Sequence, residues 1–272
     1  MRTAFISAVL LATPVSGLAI PAEPEKTIQT PKPSRDASDP WEQILSQYVI
    51  ASDDGVNRFD YAALQSNAED RETLSHYIDH LSGTQLSSLS ADEKFARLAN
   101  LYNALTIRLI VENYPVKSIR DIRYGLFSTG PWKKNIIKLD GKEVSLDDIE
   151  HGMLRKQFTD PRVHYAVNCA SIGCPNLQPK AWAAETLDAD LTKAARAYIN
   201  DPRGVTVTGR GLTVSSIYDW FESDFGGSKQ AVIEHLLAYA DPGLAENIRS
   251  DPRIRAYDYD WSLNDTKKAE TE

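Results

Sequence analysis

The chain has 272 residues, with 30 Lys and Arg against 38 Asp and Glu, so its formal net charge is −8. That balance argues against nonspecific nucleic-acid binding, which depends on a basic footprint, and basic residues cluster no further than short pairs such as Lys133-Lys134 and Lys267-Lys268. No glycine-rich phosphate loop follows any strand-like run, so nucleotide binding has no support in the sequence.

Met1 to Ala19 carry one positive charge, an apolar centre and small residues at Gly17 and Ala19, the pattern of a secretory signal peptide cleaved after Ala19. Cleavage removes Arg2 alone among the charged residues, leaving 29 basic against 38 acidic and a net charge of −9. No later stretch approaches the roughly 20 apolar residues of a membrane helix. The sequence therefore predicts a periplasmic or secreted protein that does not span a membrane. Residues 20–40 hold Pro21, Pro24, Pro31, Pro33 and Pro40 among charged and hydroxyl residues. Such a stretch buries too little apolar surface to offset its ordering entropy and reads as a disordered linker. Residues 41–264 form a single domain, and 265–272 a polar, flexible tail.

In chain order, helical patterns cover 41–50, 69–81, Asp92 to Asn113, Leu146 to Phe158, Thr186 to Ile199 and Ser228 to Ala240. Strand-like runs are Asn135 to Leu139, turning at Asp140-Gly141, then Val163 to Asn168, and Val205 to Thr208, turning at Gly209-Arg-Gly211 into Leu212 to Val214. Asp-Pro-Arg at Asp160, Asp201 and Asp251 initiates turns and marks no repeat. Helices interleaved with hairpins predict an α+β fold with helices packed on a small antiparallel sheet.

Ser90 and Glu93 form a capping box for the 92–113 helix, and its polar sector narrows to Arg97, Arg108 and Glu112. It should be buried, so Asn100 and Asn103 need partners: a neighbouring loop, or a catalytic group they orient. On the next helix Glu150 shares the face of Leu146 and looks inward, with Arg155 or a histidine as its partner, while His151 lies toward the edge. On the expected strand, His164 and Asn168 share one face.

Both cysteines of the chain, Cys169 and Cys174, follow that strand directly. A thiol beside a histidine is a candidate nucleophile. In an oxidising compartment a Cys169–Cys174 disulfide is the competing reading, although so short a loop gains little stability from closure. Two Cys with His164 and His151 would also make four zinc ligands, but at a spacing that matches no familiar zinc motif.

The segments Leu101-Tyr-Asn-Ala-Leu-Thr106, Tyr114 to Asp121, Ser145-Leu-Asp-Asp-Ile-Glu-His-Gly152, His164 through Pro175, Ser215 to Phe221 and Asp260-Trp-Ser-Leu-Asn264 resemble the family called domain of unknown function 547. That family is similar to papain-like or transglutaminase-like folds, in which a nucleophile at a helix start faces a histidine on a strand. The resemblance implies that the helix of Asn100 and Asn103 packs against His164. This chain departs from the pattern, because that helix carries no cysteine.

These residues predict an exported thiol-dependent hydrolase or acyl transferase acting on amide or ester bonds of a small-molecule or peptide-like substrate, with no cofactor. Cys169 is its nucleophile, His164 or His151 the base and Glu150 the orienting carboxylate. Asn103 or the loop amides from Ser171 to Gly173 are its oxyanion donors, and Cys174 is accessory. The alternative is a noncatalytic envelope binding module with a Cys169–Cys174 disulfide clamp and a network of Glu150, His151 and Arg155. A zinc hydrolase is the third reading.

Overall fold

A computed structural model describes residues 39–125 and 129–267. The expected signal peptide, nearly all of the expected linker and Lys268 to Glu272 lie outside the described residues. Asp39 accepts a hydrogen bond from the Trp41 amide, and Pro40, whose fixed φ suits a first helical turn, opens α1 (Pro40–Tyr48). A hairpin of β1 (Val49–Ala51) and β2 (Asn57–Phe59) leads to α2 (Tyr61–Ser66) and α3 (Ala68–Gly83).

The central element is α4 (Ala91–Asn113), capped by the Ser90 and Glu93 box. Its residues from Phe95 to Val111 are buried apart from Arg97 and Arg108, because α2, α3 and the segment after residue 148 pack around it. The polar sector expected from the sequence is thus the one that reaches solvent. After the hairpin of β3 (Ile137–Leu139) and β4 (Lys142–Val144), the chain enters a π-helix, Asp148–Leu154, whose widened turn is seen in the Arg155 amide bonding to the Glu150 carbonyl. A single turn, α5 (Arg155–Gln157), follows.

Two expectations change here. The 146–158 segment is mostly π-helix and not a regular α-helix, although Ile149, Glu150 and Leu154 still turn inward. Val163 to Asn168 is no strand: Asp160 accepts from the Arg162 amide, Pro161 occupies the first turn, and Pro161–Tyr165 winds as a 3-10 helix. All of 163–168 is buried. Apolar burial on every side, not alternation across a sheet, is what that run encodes.

Beyond it lie α6 (Leu187–Ile199), β5 (Val205–Thr208), β6 (Gly211–Ser215), α7 (Ile217–Trp220), α8 (Lys229–Tyr239), α9 (Pro242–Ser250) and β7 (Ile254–Asp258). The fold is α+β, mostly helical. Its three-stranded sheet is mixed, not purely antiparallel, since β6 pairs antiparallel with β5 and parallel with β7. Among the described residues no helix is long and apolar enough to cross a membrane. Asp265, expected to begin a flexible tail, is buried and accepts a 2.7 Å hydrogen bond from the Tyr114 hydroxyl. The domain therefore continues at least that far.

Candidate functional site

The amides of α4 find their partners in loops. Asn103 donates Nδ2–H to the Ala166 carbonyl at 2.9 Å and accepts the Asn168 amide at 2.8 Å, while Asn100 makes the same paired contact with the backbone of Trp182. Asn168 then spans the cysteine loop, donating to the Pro175 carbonyl and accepting from the Ala170 amide, each at 2.8 Å. This relay fixes the loop without bringing Asn100 or Asn103 to the cavity. The expected oxyanion role of Asn103 is replaced by a positioning one.

The loop itself bends at Ala170, whose φ of 61° is unusual for a residue with a Cβ. Its far side pairs with the C-terminal segment: the Ile172 amide bonds to the Ser262 carbonyl, and the Gly173 amide to that of Asp260, both at 2.8 Å. A Cβ on Gly173 would stand 2.8 Å from the Asp260 nitrogen, so glycine permits this close pairing. The amides of Ile172 and Gly173 are thereby spent, which removes them as oxyanion donors.

Four donors converge on Cys174. Its Sγ lies 2.8 Å from Cys169 Sγ, 3.0 Å from the Cys169 amide, 3.0 Å from the Tyr259 hydroxyl and 3.3 Å from the Ser171 hydroxyl. Both cysteines are free, Cys174 buried and Cys169 half-buried. Burial alone would raise the Cys174 thiol, but hydrogen bonds from Cys169, Ser171 and Tyr259 outweigh it and pull the thiol down. Cys169 moves the other way, first because its thiol is hydrogen-bonded to Cys174 and then because it is buried. Burial, followed by the charge of the sulfurs, holds the Tyr259 phenol well up, so Tyr259 stays a donor. The surrounding hydrogen bonds therefore favour negative charge on Cys174 and the proton on Cys169.

His164 is buried, stacked on Phe221 with ring centroids 4.2 Å apart, and its Nε2 stands 2.8 Å from Asp224 Oδ2. Arg155 clasps the same carboxylate through Nε at 2.5 Å and Nη2 at 2.9 Å. The His164 bond first, and Arg155 next after a smaller burial penalty, hold Asp224 well below the usual carboxylate range. Ionised Asp224 requires a proton on His164 Nε2, which leaves Nδ1 as the nitrogen able to exchange one. Arg155 also reaches His151 Nδ1 at 3.1 Å, and since Arg only donates, His151 carries its proton on Nε2.

Glu150 does not orient a histidine. It is buried, as its inward reading requires, but stands 3.8 Å from His151 Nδ1, the nitrogen Arg155 already occupies, and its charge falls on Tyr102. Arg155, expected to pair with it, goes to Asp224.

One cavity of about 390 Å³ collects these groups. Cys169, Cys174, Glu150, His151 and His164 line it, together with Tyr102, Trp132, Trp220, Phe221, Tyr259 and Trp261. No histidine lies within hydrogen-bond reach of either sulfur among the described residues. Nor, among those residues, do three or more His, Cys, Asp or Glu side chains converge as a metal site.

Asp224 and Tyr259 escaped the sequence reading. Asp224 sits in an irregular loop where periodicity is silent, and its one signal is its place three residues after the Ser215 to Phe221 motif. Tyr259 directly precedes the Asp260 to Asn264 motif, whose pairing with the cysteine loop brings it onto the sulfurs.

Residues 86–199 match the family described as protein of unknown function, DUF547. The chain carries a DUF547 domain. The DUF547 match contains α4, the π-helix, His164 and both cysteines, whereas Asp224, Tyr259 and Trp261 lie beyond it. No curated protein and no solved structure matches the chain.

Proposed function

We propose that the chain is an exported thiol-dependent hydrolase or acyl transferase that acts on amide or ester bonds. The observation that carries this reading is the half-buried Cys169 sulfur, beside the hydrogen-bonded Cys174 sulfur, in an aromatic cavity that His164, itself bonded to Asp224, also lines. Cys169 Sγ attacks the substrate carbonyl as its proton crosses to Cys174, and that proton then passes to the departing amine or alcohol. His164, oriented by Asp224, takes a proton at Nδ1 from the water or acceptor that resolves the thioester. In this reading His151 Nε2–H donates to the developing oxyanion. The mature chain begins after Ala19 in this reading, which N-terminal sequencing of secreted material checks.

The test is turnover of p-nitrophenyl acyl esters and aminoacyl anilides, with intact-mass detection of an acyl group on Cys169. Turnover and the adduct should both vanish in Cys169→Ser. Undiminished turnover in that variant would overturn the assignment.

The second reading, a noncatalytic envelope binding module, is favoured by the closed Arg155–Asp224–His164 network, in which His164 contacts neither sulfur. Saturable quenching of Trp fluorescence by a ligand that is never turned over would select it.

A further inference from the structure

We infer that Cys169 and Cys174 form an exchange-competent dithiol that accepts the oxidising equivalents of a small-molecule disulfide. The sulfurs stand 2.8 Å apart, and a disulfide at about 2.05 Å needs an approach of only about 0.8 Å. The loop is already bent for that bond. Asn168 ties Ala170 to Pro175, and the left-handed backbone at Ala170 is held further by the Asn264 amide on the Ala170 carbonyl. Neither restraint uses the sulfurs, so both persist whether or not the bond is made.

The two sulfurs are unequal in the way exchange requires. Cys169 is the more exposed and meets the disulfide first, while Cys174 waits behind it. Cys169 Sγ passes its proton to Cys174 as it attacks one sulfur of the small disulfide, which breaks that S–S bond and forms a mixed disulfide. The first small thiolate leaves and takes up that proton, which returns Cys174 to its thiolate form. The Cys174 thiolate then attacks Cys169 Sγ, the intramolecular bond forms, and the second small thiolate leaves and takes its proton from water. Two protein thiols are oxidised and one disulfide becomes two thiols.

Reversibility follows from the donors. The Cys169 amide, Tyr259 and Ser171 hydrogen-bond Cys174 in its reduced form, and these interactions weaken once Cys174 loses its charge. A purely structural disulfide has no such stake in being broken. The depressed Cys174 thiol also makes that sulfur a good leaving group when the bond is reduced.

Oxidised glutathione is the probe, and intact mass with free-thiol counting is the readout. The wild-type protein should lose both thiols, release two glutathione thiols per chain, accumulate no stable adduct and recover with dithiothreitol. Cys174→Ser should instead trap one glutathione on Cys169, and Cys169→Ser should resist modification. A wild-type protein that keeps both thiols in oxidised glutathione, while the urea-unfolded chain is oxidised, overturns the inference. So does equally fast adduct formation on the two variants. The wild-type thiol count decides by itself where a variant does not fold.

Discussion

His164 Nε2 meets Asp224 Oδ2 at 2.8 Å across 60 residues of sequence, and Arg155 holds the far side of that carboxylate. Asp224→Asn keeps the shape but removes the charge that both partners require. The variant should lose about 2 kcal/mol in urea unfolding, the scale of a hydrogen bond to a charged group. Glu150→Gln, which breaks no bond to a histidine, should leave His164 unaffected. Histidine ring NMR reads both: the His164 resonances move in the first variant and stay in the second.

Tyr259 contacts Cys169, Cys174 and Ser171 within 3.2 Å. Removing its hydroxyl in Tyr259→Phe deletes one donor to the thiolate and so favours the neutral thiol. The midpoint of the pH profile for iodoacetamide alkylation should move up by about 1 unit, because a unit corresponds to roughly 1.4 kcal/mol and the lost bond is of that order. An unmoved profile would show that Tyr259 does not stabilise the charge.

Asn103→Ala should cost about 2 kcal/mol of stability by leaving the buried Asn168 amide without an acceptor. The Ala166 carbonyl keeps its second donor, Trp182 Nε1 at 3.0 Å, so the loss should stay local. Hydrogen exchange checks this: protection should fall at the 168–170 amides and not along α4.

His235 packs against Tyr165 and Phe225, and burial brings its pKa from 6.5 down to about 4. A base whose folded pKa lies below its unfolded value binds more protons unfolded. Its contribution is complete above about pH 6.5 and is lost as the pH falls toward about 4, for a total of about 3 kcal/mol. Urea midpoints should therefore drop between pH 7 and pH 4, and His235→Phe should flatten that part of the profile.

The sequence carried the helices that bury a continuous apolar surface, because a capping box and a period of 3.6 are local signals. That is why α4 and its narrow polar sector at Arg97 and Arg108 were legible. The inward turn of Glu150 was also legible, but its partner was not, since partners are set by tertiary contacts such as Arg155 with Asp224. The run from Val163 to Asn168 misled because complete burial erases the difference between a strand and a tight helix. Likewise β7 joins β6 in parallel from a long way down the chain, a pairing that no hairpin signal announces.

The C-terminal cover on the cysteine loop also sets an order of events. Tyr259 lies 90 residues beyond Cys169 and bonds its sulfur, and Asp260 and Ser262 clamp the adjoining backbone. A chain that emerges from its N-terminus presents both thiols long before these partners exist. The Cys174 sulfur therefore acquires its full set of donors only when residues 259–262 have docked, so reactivity in this cavity reports that this segment has closed over the loop.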